Sequence, residues 1–175
     1  VTVANNLTTI DDGVTLTLDD AMIANGTIIN NGIIEVDALK TLYLQSATLS
    51  GGTIANAGAV AITIDSTIEN AIFNNTQLKV TGFETLTLSG TKVTGGNIDN
   101  FSNIVGGTIH VTGDSAINGA TLNQGQLTVE AGSTLTLDGA TVTGTTITGN
   151  GTIKVDATNT LKLNGVALDG GAIAN

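Results

Sequence analysis

Apolar residues fall on alternate positions in short stretches. Leu16 and Leu18, Ile34 and Val36, Leu86 and Leu88, Leu135 and Leu137, and Ile153 and Val155 are each separated by one polar or charged residue. Each stretch is soon cut off by Gly, Asn or Asp. That period of two predicts strands with one face turned inward, and the helical period of 3.6 is missing. Glycine (23) and asparagine (18) supply the turns, because both tolerate positive φ.

The strands repeat. Thr-Leu-x-Leu occurs at Thr15, Thr41, Thr85, Thr134 and Thr160, with degenerate forms near Ala61 and Thr108. The intervals between these seven starts average roughly 24 residues, a period typical of solenoid repeats. Thr15–Lys40 and Thr134–Asn159 align without gaps at 14 identical positions in 26. A unit of about 24 residues with three or four strands cannot bury its own apolar side, so it must stack on copies of itself. The expected fold is therefore all-β, a right-handed parallel β-helix of about seven rungs of roughly 24 residues, since parallel crossovers are overwhelmingly right-handed. In it, the leucines of each Thr-Leu-x-Leu are expected to lie over those of the next. Residues 1–175 form one solenoid segment.

Composition supports this. Thr (31), Ile (18) and Val (13) make 62 of 175 residues β-branched, which suits strands. Proline is absent, as a continuous ladder of backbone donors requires. Cysteine is also absent, so disulfides and thiol chemistry are excluded. There are 15 carboxylates against 5 lysines and no arginine, for a net charge of −10, so a nucleic-acid partner is not expected. No apolar run approaches the ~18 residues of a membrane span.

Units such as Thr134-Leu-Thr-Leu-Asp-Gly-Ala-Thr-Val-Thr-Gly and Asn150-Gly-Thr-Ile-Lys-Val resemble the β-helical repeat regions of large bacterial surface and secreted adhesins. These include autotransporter passengers, filamentous haemagglutinin-like proteins and type I secreted repeat adhesins. The resemblance rests on repeat style over the whole chain, and no active site carries over from it. It implies export from a Gram-negative cell, a secreted or cell-surface location, and a role as adhesin stalk or surface-contact rod. Host-surface or biofilm components are the implied outside partners. Val1-Thr2-Val3 matches the last strand of a unit, and the residues after Leu163 cover half of another. The segment is therefore expected to be excised from a longer repeat protein, with neighbouring repeats as partners and end-to-end stacking possible at uncapped rungs.

Candidate chemistry is sparse. His110, the only histidine, stands between inward Ile109 and Val111 and is expected to be a solvated strand residue. Polysaccharide lyases share this architecture but need clustered ionisable groups and aromatic platforms. With no Arg or Trp and only Tyr43, Phe73, Phe83 and Phe101, a carbohydrate-active or carbohydrate-binding helix is an alternative, and an enzyme is not expected. No catalytic, cofactor-binding or metal-site residue is assigned. Glu130 and Asp156, each just after the valine of its strand, are expected at equivalent positions in adjacent rungs. Stacked like charges there could share a Ca²⁺, the one cofactor weighed. The pairs Thr15/Thr17, Thr85/Thr87 and Thr134/Thr136 suggest a second alternative, an ice-binding Thr-x-Thr ladder, interrupted at Tyr43, His110, Lys162 and Ala61.

Overall fold

The computed structural model describes residues 2–4, 6–102 and 105–175. Among them every regular element is a strand, and all but one of the strand pairings are parallel. The chain visits three faces in a fixed order. Thr2–Ala4 opens face 1, Leu7–Ile10 opens face 2 and Thr15–Thr17 opens face 3. Ala21–Ala24 then returns to face 1 and pairs with Thr2–Ala4. The cycle continues until each face holds nine strand levels. Two long strands, Thr53–Ile64 and Ile72–Val80, run across face 3 into face 1 and join those faces into one sheet. Face 2 is a separate nine-stranded sheet with no register break.

The expected parallel β-helix is thus what forms. It makes eight steps, for a column about 38 Å long at ~4.8 Å per step. The first and last strands of face 2 start at Leu7 and Ala167, eight steps apart. A turn therefore averages about 20 residues, at the short end of the range for solenoid repeats.

The Thr-Leu-x-Leu motifs do not all stack on one another, however. They lie on face 3 at Thr15 and Thr134, on face 1 at Thr41, and on face 2 at Thr85. The reason is countable. Most intervals between motifs contain four strands, whereas a turn contains three, so each such unit starts one face further round. Where the interval covers three strands, the motifs share a face: Thr85 stands under Thr108, Leu86 under Ile109 and Leu88 under Val111, whereas Thr41 stands under Ala59, two residues before the motif at Ala61. The aligned pair Thr15 and Thr134 lie six turns apart on the same face.

Inward positions form aliphatic files. On face 1, Ala21, Leu42, Val60, Leu78, Ile98, Leu122 and Val142 follow one another level by level, each nearly or fully buried. On face 3, Ile34, Ile54, Phe73, Val93 and Ile117 do the same. Fully burying one such side chain is worth about 1.5–3 kcal/mol, and no single turn could achieve it alone. One departure from the pattern is the antiparallel pairing of Phe101–Ser102 with Val105–Gly106, inserted at the corner between faces 1 and 2. It makes that turn, from Thr85 to Thr108, the longest on face 2.

Candidate functional site

With the interior filled by aliphatics, the chemistry lies on the outer faces and the corners. The corners are where the inter-turn ladder is interrupted, and carboxylates repair it there. Asp65 Oδ1 accepts the Thr85 N–H at 2.6 Å, Asp114 the Thr134 N–H at 2.8 Å, and Asp138 the Asp156 N–H at 2.8 Å. Asp19 accepts the Asp37 N–H at 3.0 Å. Each acid thus holds a donor about one turn further along the chain. A charge-assisted bond of this kind is stronger than a neutral one.

Two corner acids, the exposed Asp20 and the half-buried Asp156, carry a lysine partner. Lys40 Nζ lies 2.7 Å from Asp20 Oδ2, and Lys154 Nζ lies 2.6 Å from Asp156 Oδ1. The bond from Lys40, helped by the Thr41 N–H, holds the Asp20 carboxyl below its ordinary range, and Lys154 does the same to Asp156. Both ammonium groups are correspondingly raised by these carboxylates.

This geometry separates the pair that motivated a calcium expectation. Val129 of face 2 stands under Gly149, so the residue stacked over Glu130 is on the Asn150 side of the next turn. Asp156 belongs to the corner after face 3, where it binds Lys154 and caps onto Asp138. Glu130 instead meets His110, with Nε2 to Oε1 at 3.0 Å. Motif spacing alone leaves His110 without a partner. Thr128 stands over His110 in the next turn, and Glu130, two positions further along the chain, reaches back to the imidazole. No group of three or more His, Cys, Asp or Glu side chains gathers among the described residues.

The threonine pairs are also redistributed. Thr15 and Thr17 lie on face 3, under Ile33 and Glu35, so no regular array grows from them. Face 2 does carry a file. Thr27, Thr48, Thr67 and Thr87 stand on consecutive levels, followed by His110, Thr128 and Thr148. Beside it, Thr85, Thr108, Gln126 and Thr146 form a second file on four levels. Thr128 and Thr148 share a hydroxyl–hydroxyl bond of 2.9 Å. The face 2 strands contain no lysine, and Glu69 and Asp169 are their only carboxylates. Local sequence does not reveal this array, because its members recur once per turn and sit in different local motifs.

Face 1 is more polar towards the C-terminal end. Asp99 there collects amide donors from Asn97 at 2.8 Å, Asn123 at 3.1 Å and Gln77 at 3.4 Å. Of the four aromatic residues, Phe73 fills the interior, while Tyr43, Phe83 and Phe101 are exposed. Among the described residues no helix is long and apolar enough to cross a membrane. Comparison of the chain with protein-family models, with curated proteins and with solved structures finds no match.

Proposed function

We propose that this chain serves as a stiff structural rod, a stalk or surface-contact segment of a secreted or surface-displayed bacterial repeat protein. The observation that carries this reading is the unbroken stacking of nine levels on all three faces. Extending such a column along its axis requires peeling a complete turn, with three strand ladders and their aliphatic files broken together. Bending it stretches one ladder and compresses another. The compartment rests on repeat style and composition. Surface labelling of the producing cells tests it, and an exclusively internal pool would remove it.

The mechanical part is tested by pulling a single molecule between its ends. The expected record is a series of discrete yields, each releasing one turn of about 20 residues, or about 65–70 Å of chain at ~3.3–3.6 Å per residue. Featureless extension at low force would overturn the rod reading.

A second reading is favoured by the face 2 threonines. A flat file of methyl and hydroxyl groups, nearly free of charge on a protein of net charge −10, suits an ordered water surface more than a charged ligand. On this reading the protein shapes growing ice crystals and lowers the freezing point below the melting point, and Thr67→Lys removes both effects. Ice that grows unaltered in the presence of the wild-type protein excludes it.

A further inference from the structure

We propose that the middle levels of face 1 are a binding surface for an extended neutral glycan. Phe83, Phe101 and Tyr43 supply rings for stacking, and an array of amides, one carboxylate and one lysine supplies hydrogen bonds. This goes beyond the rod reading, since a rod needs no ligand along its side.

Phe83 occupies a costly position. The corner between faces 1 and 2 there is a four-residue turn, closed by the Glu84 N–H onto the Thr81 carbonyl at 3.1 Å, with φ +71° at Phe83. A turn with positive φ at its third residue calls for glycine there. Turns closed in the same way at Val14 and Ser133 carry it, as Gly13 and Gly132. Phe83 is also 82% exposed, so its ring gains nothing from the interior. Backbone strain joined to exposed apolar surface marks a position that serves a contact.

The antiparallel insertion brings a second ring to the same corner. The Phe83 N–H donates to the Gly106 carbonyl at 3.3 Å, and Gly106 is the pairing partner of Phe101, itself 39% exposed. On the adjoining face 1, Tyr43, Ala61, Lys79, Asp99 and Asn123 form one outward file on consecutive levels. Gln77 and Asn97 stand beside Lys79 and Asp99 on the same two levels. Asp99 comes two residues before Phe101, and Lys79 four before Phe83. The amides of Asn97, Asn123 and Gln77 hold the Asp99 oxygens in place. Among the described residues Lys79 has no ion-pair partner, so its ammonium is free to donate.

Rings next to fixed donors and acceptors suit a ligand that offers both an apolar face and polar edges within one small unit. A pyranose does so, with C–H bonds on its faces and hydroxyls around its rim. Tyr43 lies two levels from Lys79 in the same file, so the three rings do not join into the contiguous apolar centre of a protein interface. The face is an open sheet surface along the column axis, which admits a chain of sugars lying lengthwise. Asp65 and Glu84 meet at the same corner, and the protein carries a net charge of −10, so an acidic polysaccharide is repelled and a neutral one is not.

The test is electrophoresis of the full chain through native gels cast with soluble neutral polysaccharides: a glucan, a xylan, a mannan and a galactan. At least one is expected to retard the protein, and added salt is expected to leave the retardation unchanged, because no charge is neutralised. Phe83→Gly is expected to weaken binding about tenfold or more, through loss of one stacked ring. Its melting temperature is expected to hold or rise, because the turn then has the residue it calls for. Phe101→Ala is expected to weaken binding as well. Leu39→Gly relieves φ +65° at the opposite edge of face 1 and is expected to leave binding as it is. Unaltered mobility in every glycan gel overturns the inference, and so does retardation that survives Phe83→Gly and Phe101→Ala. Retardation by a lysine-rich peptide and by none of the glycans also overturns it, in favour of a basic protein partner. None of these outcomes bears on the rod reading, which the pulling experiment decides.

Discussion

At the scale of single residues, polar groups inside the column are tolerated where they bridge turns. Asn75 is 7% exposed, and its Nδ2 donates to the carbonyls of Gly95 at 3.3 Å and Asn97 at 3.1 Å. Its Oδ1 accepts from Asn56 Nδ2 at 3.2 Å. Asn75→Ala removes all three bonds, leaving the Asn56 amide only its bond to the Gln77 carbonyl and the half-buried Gly95 and Asn97 carbonyls without this donor. Urea unfolding is expected to show a loss of about 1–3 kcal/mol. Glycine matters where backbone crowds it. Gly96 has φ +70°, and a β-carbon there would strike the carbonyl oxygens of Asn75 and Thr76. Gly13 has φ +75° but open space around it. Gly96→Ala is therefore expected to lower the melting temperature clearly more than Gly13→Ala, which meets only the backbone cost of about 1 kcal/mol. Equal effects would show that the corner at Gly96 yields freely.

At the scale of strands and turns, stability is shared between neighbours, because each level is completed only by the levels above and below. Leu137, fully buried, is the sharp case. Leu137→Asp places a carboxylate among aliphatics with no partner, and protonation or local opening must follow. The expected outcome is loss of hydrogen-exchange protection in the adjoining turns, with protection kept in distant ones. Wild-type protection throughout would mean that Leu137 does not face the interior. The inward leucines, the parallel architecture and the corner glycines were legible in the sequence, because a period of two and a turn residue are local signals. The pairing of motifs was not. Four strands fit in the interval between most Thr-Leu-x-Leu copies and three strands fit in a turn, and nothing local in Thr41 or Thr85 says which face it occupies. For the same reason the face 2 threonine file and the His110–Glu130 contact were hidden, while Glu130 and Asp156, alike in local sequence, stand on different corners.

Across the column as a unit, charge is concentrated at corners and on faces 1 and 3, and part of it contributes to pH dependence. Asp20 and Asp156 are held below the ordinary aspartate value of 3.8. Their contribution is present above that value and is lost as pH falls through the depressed ones. Lys40 and Lys154 are raised above 10.5, so their contribution is present below that value and is lost as pH rises through the raised ones. The difference in melting temperature between the wild type and Lys40→Met/Lys154→Met is therefore expected to be small and flat across neutral pH. It should shrink towards zero in acid below the ordinary aspartate range. A difference that grows in acid would refute the assignment of these pairs.

Local pattern is enough to establish that this chain forms short strands, that they turn their aliphatics to one side, and that they repeat too regularly to fold as separate units. Those properties depend on near neighbours along the chain. That three strands close a turn, and therefore which residues a full turn apart become neighbours, is settled only in the assembled column. The physical reason lies in the corners. The length and bend of each decide on which face the next strand lies, and a single extra strand per sequence unit rotates every side chain after it to another face of the column.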